Sequence, residues 1–333
     1  MALLFLLIPL LSIAPPACDA ATDARVDAAR AYLDTVSTTT SELTPFNHPQ
    51  RTQWNYLPGD RFGTRLSAMT GPQRDAALHL LRSMLSKQGY ETASGIFLLD
   101  AELRDRAVAA GRPNASRDPD QYAWAVWGEP GEGPWGFRVE GHHLSLNLVD
   151  TPHGTRCTPL FLGAAPISID IGPRQGTAPL LHIERIALAL RNALSAEQAA
   201  KATLSQDKPH DVLLGPGREH SLTQSAGLSA GELNGPQRAM LVRLISAYAG
   251  LLATDLGSQA QKRLLAGGPD SVHFAWIGGT AIDQPRYWRL HGPDWIIEFD
   301  SIGDNADHVH TVWHDLQGNF GADVLREHVE HEH

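Results

Sequence analysis

The tetrapeptide Gly-Pro-Gln-Arg occurs twice, at residues 71–74 and 235–238, and its surroundings repeat with it. LSAMTGPQRDAALHLLRSMLS and AGELNGPQRAMLVRLISAYAG each read as a cap followed by an amphipathic helix. Thr70 and Asn234 are the natural N-caps, because a short side-chain oxygen can accept from the first free helical amides. Pro72 and Pro236 suit a first turn that has no use for their missing N–H. Leu78, Leu81 and Leu85 recur at helical spacing, as do Leu241, Leu244, Ile245 and Tyr248. Second helices are expected near 92–109 and 255–266. An aromatic strand follows in each half, at 122–127 and 272–277. Then comes a strand pair, 138–141 with 144–148 in one half and 289–292 with 295–299 in the other. The unit is helix–helix–strand–strand–strand, present twice. It predicts an α+β fold of two pseudo-symmetric repeats packed around a common core. A bridging helix is expected near 180–203. Residues 204–234, rich in Gly, Pro, Ser and charge, read as a linker. The expected divisions are thus 21–203 for the first half with its bridging helix, 204–234 for the linker and 235–333 for the second half.

Residues 2–14, ALLFLLIPLLSIA, form an apolar run of thirteen, shorter than the roughly 20 residues a membrane span needs. Small residues follow at 17–21, the layout of a secretory signal peptide ending near residue 20. The absence of Lys and Arg from its first residues departs from that pattern. Ala17-Cys18 also fits a lipoprotein box with Cys18 as the lipidated residue, although Pro15 and Pro16 do not suit one. The expectation is an exported chain, periplasmic or extracellular, touching membrane only through its leader or a lipid anchor at Cys18. Two cysteines rule out a disulfide framework and a Cys-rich zinc module. Cys157 then reads as a buried, inert thiol. The chain carries 27 basic and 37 acidic residues, a net charge of −10. A phosphate backbone offers such a protein no general attraction, so nucleic acid is not an expected partner.

The sixteen histidines are the unusual feature of the composition. Alternation along strands sorts them by face. Leu144, Leu146 and Leu148 share one side of their strand, and His143, Ser145 and Asn147 the other. Trp295, Ile297 and Phe299 oppose Glu298 and Asp300. Within 308–314, Val309, Thr311 and Trp313 oppose His308, His310 and His314. One polar side therefore collects His143, Asn147, Glu298, Asp300, His308 and His310. An H-x-H on one strand can place two imidazoles on one ion, and a third His with a carboxylate would complete a catalytic zinc site or a non-haem iron triad. The same pattern also describes a merely solvated strand face. Glu298 can be a ligand, a general base or the partner of an Arg. His142 can be a turn residue beside Gly141.

Asn47 to Pro58 combines Arg51, Trp54 and Tyr56 in a loop-like stretch. Arg51 could clamp a substrate carboxylate or phosphate, or pack structurally on aromatics. Arg326 could reach the histidine face or cap a carbonyl. His328, His331 and His333 read as a frayed end. Asn114-Ala-Ser116 fits a glycosylation acceptor. No phosphate loop, G-x-S-x-G or dinucleotide fingerprint is present.

Four stretches together resemble one known family: R-x-x-W-x-Y-x-P (51–58), W-G-x-R-x-E-G-H-H-L-S-L-N (135–147), W-R-L-H-G-P…I-E-F-D…H-V-H-T-V-W-H-D (288–315) and F-G-x-D-x-L-R-E-H (320–328). They are similar to the exported bacterial family called domain of unknown function 3500, DUF3500. The resemblance runs over roughly 25–330. It implies no established activity, but its motifs fall on Arg51, Trp54, Glu140, His142, His143, Asn147, Glu298, His308, His310 and Arg326. The chain departs from the family's Asn-rich segment before H-x-H, reading Ser-Ile-Gly-Asp-Asn-Ala-Asp at 301–307.

Two functional classes follow. In the first, the chain is a metal-dependent hydrolase of a small or polymeric polar substrate. His143, His308 and His310 would hold a divalent zinc or iron, Glu298 would be ligand or base, and Arg51 would orient substrate. Trp54, Glu140, His142, Asn147 and Arg326 would contact that substrate. A metal-free variant uses His143 or His310 as general base with Glu298. In the second class, Trp54, Trp135, Trp288 and Trp313 line a pocket that binds a sugar or peptide without chemistry.

Overall fold

Residues 17–36, 44–112, 117–152, 154–204, 207–302 and 306–322 are described by the structure, a computed structural model. Residues 1–16 of the predicted leader, Arg326, Asn114 and the His-rich tail lie outside them, whereas residues 17–20, the expected end of the leader with Cys18, are the start of the first helix. The first half carries α1 (Ala17–Val36), β1 (Thr64–Arg65), α2 (Gly71–Met84), α3 (Lys87–Ala109), β2 (Ala123–Trp127), β3 (Trp135–Gly141), β4 (Leu144–Asp150) and β5 (Leu160–Ala164). After it come α4 (Leu181–Asn192), α5 (Ala196–Ala202), β6 (Leu228–Ser229), α6 (Gly235–Ala249), α7 (Thr254–Leu264), β7 (His273–Gly278), β8 (Arg286–His291), β9 (Trp295–Ile302) and β10 (His308–Asp315). The fold is α+β. The ten strands of the described residues join one antiparallel sheet in the order β1-β2-β3-β4-β5-β10-β9-β8-β7-β6, so that the two series of strands meet where β5 pairs with β10.

The repeated GPQR has a physical reason. In α6, Asn234 Oδ1 accepts from the Gln237 amide at 3.0 Å, and Gln237 Oε1 accepts from the Asn234 amide at 2.9 Å, a reciprocal cap. In α2, Gln73 Oε1 likewise accepts from the Thr70 amide at 2.8 Å. Each glutamine then ties its helix to the end of a neighbour. Gln73 Nε2 donates to the Thr35 carbonyl at the end of α1, and Gln237 Nε2 donates to the Ala193 carbonyl just past α4. The predicted bridging helix is in fact two, because Ser195 and Gln198 build a further capping box that starts α5. The sequence reading also passed over β1, β5 and β6. Leu160–Ala164 is flanked by prolines and too short to show alternation, yet it pairs with both β4 and β10.

One face of the sheet packs on the helices. Trp124, Phe137, Leu146, Leu162, Trp313, Phe299 and Trp276 join Leu80, Leu81, Leu241 and Leu244 in a single apolar core. The other face carries polar residues, but it is not solvated as the simpler reading of its alternation would have it. Residues 44–62 and 207–222 lie across it, so that His310, His314, Glu298 and Asp300 are buried. Val212 and Leu214 are buried too, and β6 pairs with β7, which makes much of the segment read as a linker part of the body. Among the described residues no helix is long and apolar enough to cross a membrane.

Gln237→Ala removes a cap and an interhelical bond together. It is expected to cost about 2 kcal/mol, read as a lower urea midpoint at unchanged slope. A change below a few tenths would mean that neither bond contributes.

Candidate metal centre

His143, His308 and His310 converge. His142 and His143 fill the two-residue turn between β3 and β4, and His143 has φ 63°, a left-handed conformation few side-chain-bearing residues adopt. That turn is held by the His143 amide donating to the Tyr56 carbonyl and by the Gly163 amide donating to the His143 carbonyl at 2.7 Å. His308 and His310 stand on one face of β10 by alternation. The result places His143 Nε2 2.9 Å from His308 Nε2, and His308 Nε2 3.0 Å from His310 Nε2. Three nitrogens bound tetrahedrally at 2.0–2.1 Å to one ion stand roughly 3.3 Å apart. A few tenths of an ångström of opening would therefore fit zinc, and these three residues can hold a metal ion.

Carboxylates set the tautomers. Asp211 Oδ1 accepts from His310 Nδ1 at 2.7 Å, which leaves the Nε2 lone pair facing the other imidazoles. Asp100 Oδ1 is hydrogen-bonded to His142 Nδ1 at 2.8 Å and lies 3.4 Å from His143 Nδ1, which makes no hydrogen bond, so a carboxylate stands behind His143 while its Nε2 faces the other imidazoles. Asp100 is itself buried in α3 and also accepts from the Tyr122 hydroxyl. Burial, and then the neighbouring imidazoles, hold His143 well below 6.5 and His308 near 3. Neutral imidazole is the form that ligates metal. Burial pushes the Asp211 carboxyl up, but hydrogen bonds from His310 and Tyr56 outweigh it and the group stays ionised below its usual range.

Gly163 makes the convergence possible. It faces His310 across β5 and β10, and a Cβ there would stand 2.8 Å from His143 Cδ2 and 3.0 Å from His310 Cδ2. A side chain would push the two rings apart.

The other predicted site residues lie around this centre in different roles. Glu298 accepts from the Tyr287 hydroxyl at 2.6 Å and from the amides of Leu213 and Leu214 at 3.0 and 2.8 Å. Glu140 pairs with Arg61 and Arg138 and accepts from Ser145 and the Asn55 amide. Both carboxylates thus fasten the covering segments to the sheet. Arg51 donates to the carbonyls of Phe46 and Phe320 and stacks on the Phe46 ring. Asn147 donates to the Pro159 carbonyl, and His142 is held by Asp100. Trp54 donates to Glu219 and lines a cavity of about 650 Å³ with Phe320, Asn319 and His220. That cavity lies across the stacked Tyr56 and Phe161 rings from His310. Trp135, Trp288 and Trp313 do not join Trp54 there, since they pack in the helix-side core.

Several partners escaped the sequence reading. Asp100 had a signal, an acid between Leu99 and Ala101 on a helix. Asp211 had none, because it sits in an aperiodic stretch. Asp300 was placed on the right face but not given a part. It is the cross-strand neighbour of His310, with Oδ1 2.9 Å from Lys208 Nζ and Oδ2 buried without a partner.

Burial also holds His314 near 4, below the 6.5 of a free imidazole. Between those values the unfolded chain binds the extra proton. The stability His314 contributes is therefore complete above pH 6.5 and is lost as pH falls toward 4. Asp300, raised by burial to about 7, works in the opposite sense, taking up a proton on folding and stabilising on acidification. His314→Gln is expected to flatten the dependence of unfolding free energy on pH by ~1.4 kcal/mol per pH unit within the His314 window. An unchanged slope, measured by urea unfolding from pH 4.5 to 6.5, would contradict the assignment.

No curated protein and no solved structure matches the chain. One family model does, over residues 19–322, and its description is protein of unknown function, DUF3500. With that match covering most of its length, the chain belongs to the DUF3500 family.

Proposed function

We propose that the protein is an exported, metal-dependent hydrolase whose ion is held by His143, His308 and His310. The observation that carries this reading is the convergence of three Nε2 atoms, two of them backed by carboxylates. Zinc is the favoured ion and iron the alternative. Three protein ligands leave a position open, as in catalytic rather than structural zinc sites. A bound ion supplies polarisation of a water and of the bond to be cleaved. Asp300, the cross-strand neighbour of His310 with Oδ2 unpaired, would be the carboxylate that takes the proton from that water. Glu298 is fully engaged by Tyr287 and two amides and serves as a clamp. Water adds across the bond, its hydroxyl to the electrophilic centre and its proton, through Asp300, to the leaving oxygen or nitrogen. Export rests on the apolar run at 2–14. We also infer that the halves descend from a duplication. The repeated GPQR supports it, as do the matching glutamine ties and the placing of Arg138 opposite Asn147 as Arg289 is opposite Glu298.

The Trp54 cavity favours the second reading, a binding protein. The same experiment separates the two. Elemental analysis of the wild type should find about one equivalent of zinc or iron above a His308→Ala/His310→Ala variant carrying the same tail. Equal metal in both would discard the centre. Asp211→Asn is expected to weaken metal affinity 10–100-fold while leaving stoichiometry at one, measured by competition with a chromogenic chelator. Asp300→Asn should keep the metal and lose turnover of p-nitrophenyl ester substrates; retained turnover would remove Asp300 from the chemistry.

A further inference from the structure

A cluster of arginines lies at the end of α3. A cavity of about 340 Å³ is lined by Leu103, Arg106, Ala107, Arg112 and Arg117, three guanidinium groups and no carboxylate. The chain as a whole carries a net −10. The acids nearby are already engaged, one of them with Arg106 itself and the rest with arginines outside the cavity. Glu102 pairs with Arg106 and Arg174, Asp105 with Arg104 and Arg174, and Asp118 with Arg104. Among the described residues, neither Arg112 nor Arg117 makes an ion pair, and Arg117 Nε is buried without a hydrogen-bond partner. A buried guanidinium N–H left unpaired costs free energy that a ligand's acceptor oxygen would recover.

The cavity begins one turn of α3 beyond a residue that holds the histidine turn, since Leu103 follows Asp100 by three positions. Asp100, which orders His142 and His143, is on the same helix as Leu103, Arg106 and Ala107. His308 is the most exposed of the three imidazoles, so the centre opens at its end of β10.

We propose that Arg106, Arg112 and Arg117 form an oxyanion subsite, and that the substrate of the neighbouring metal centre is anionic. A phosphoryl, sulfuryl or carboxylate group would sit on the planar guanidinium donors, which match such oxygens in pairs. The substrate class rests on the hydrolase reading; the anion site stands without it.

Titration of the metal-stripped full chain with inorganic phosphate, followed by calorimetry, tests the subsite. Binding should be weakened at least tenfold in Arg112→Glu/Arg117→Ala. It should be unchanged in His308→Ala/His310→Ala, where the anion subsite is intact. Arg112 is exposed, so Arg112→Glu alone is expected to fold and to weaken binding by several-fold. Arg117→Lys keeps the charge and should retain most of the affinity. Competition by sulfate supports a tetrahedral dianion; tighter binding of acetate assigns the subsite to a carboxylate. Absence of phosphate, sulfate and acetate binding to the wild type, or equal binding to the double variant, overturns the proposal. Phosphate binding without metal uptake would sink the hydrolase reading alone. Metal uptake without anion binding would sink the subsite alone.

Discussion

The amides of Asn55, Leu213 and Leu214 donate to two carboxylates on the sheet, Glu140 and Glu298. Much of the molecule depends on those bonds. A sheet face carrying Glu, Asp, Arg and His would ordinarily face water, and burying it unpaired would cost roughly 1–3 kcal/mol for each orphaned group. Here the covering chain is irregular, with its own backbone donors unmet by helix or strand. The two deficits cancel each other. Aperiodic segments supply donors, the charged strand face supplies acceptors, and the histidines come to lie in a layer that excludes water.

Inside that layer the decisive arrangement is angular rather than energetic. An imidazole has two nitrogens, and a ligand cluster needs the lone pair of the right one. Asp211 fixes that choice from outside for His310 by accepting from its Nδ1, and Asp100 holds the His142-His143 turn by its bond to His142, with its carboxylate 3.4 Å from His143 Nδ1. Gly163 fixes the spacing from beneath by leaving no Cβ between the rings. These three residues touch no bound group in the proposed arrangement, yet each determines whether three nitrogens can meet at one point.

The caps, the long helices and the alternating strands were legible because each is a local matter. A cap needs four residues and an amphipathic strand needs six. Thr70, Asn234, Trp295 and His310 fell where their neighbours in sequence required. The meeting of His143 with His308 and His310 was legible only as a shared face, since strand order depends on pairings more than a hundred residues apart. β5 was invisible because five residues between prolines show no period. Asp211 and Lys208 act through a segment whose composition resembles a linker, and what makes it ordered is the sheet underneath. Arg51 and Glu140, read as site residues, are engaged in bonds to covering segments; composition alone does not separate an Arg that meets substrate from one that meets carbonyls.

The position of β10 has a consequence in time. It is the last strand of the described residues and the neighbour of β5 at the middle of the sheet. Until residue 315 has been synthesised, β5 and β9 each present an open edge with half their ladder bonds unmade. The first half cannot close on itself early, and the histidines cannot attract an ion before the strand that carries two of them arrives. Contacts of such sequence separation form slowly. A chain that must stay unfolded during transit would gain from this delay, whereas a truncation before β10 would leave adhesive edges rather than a smaller folded protein.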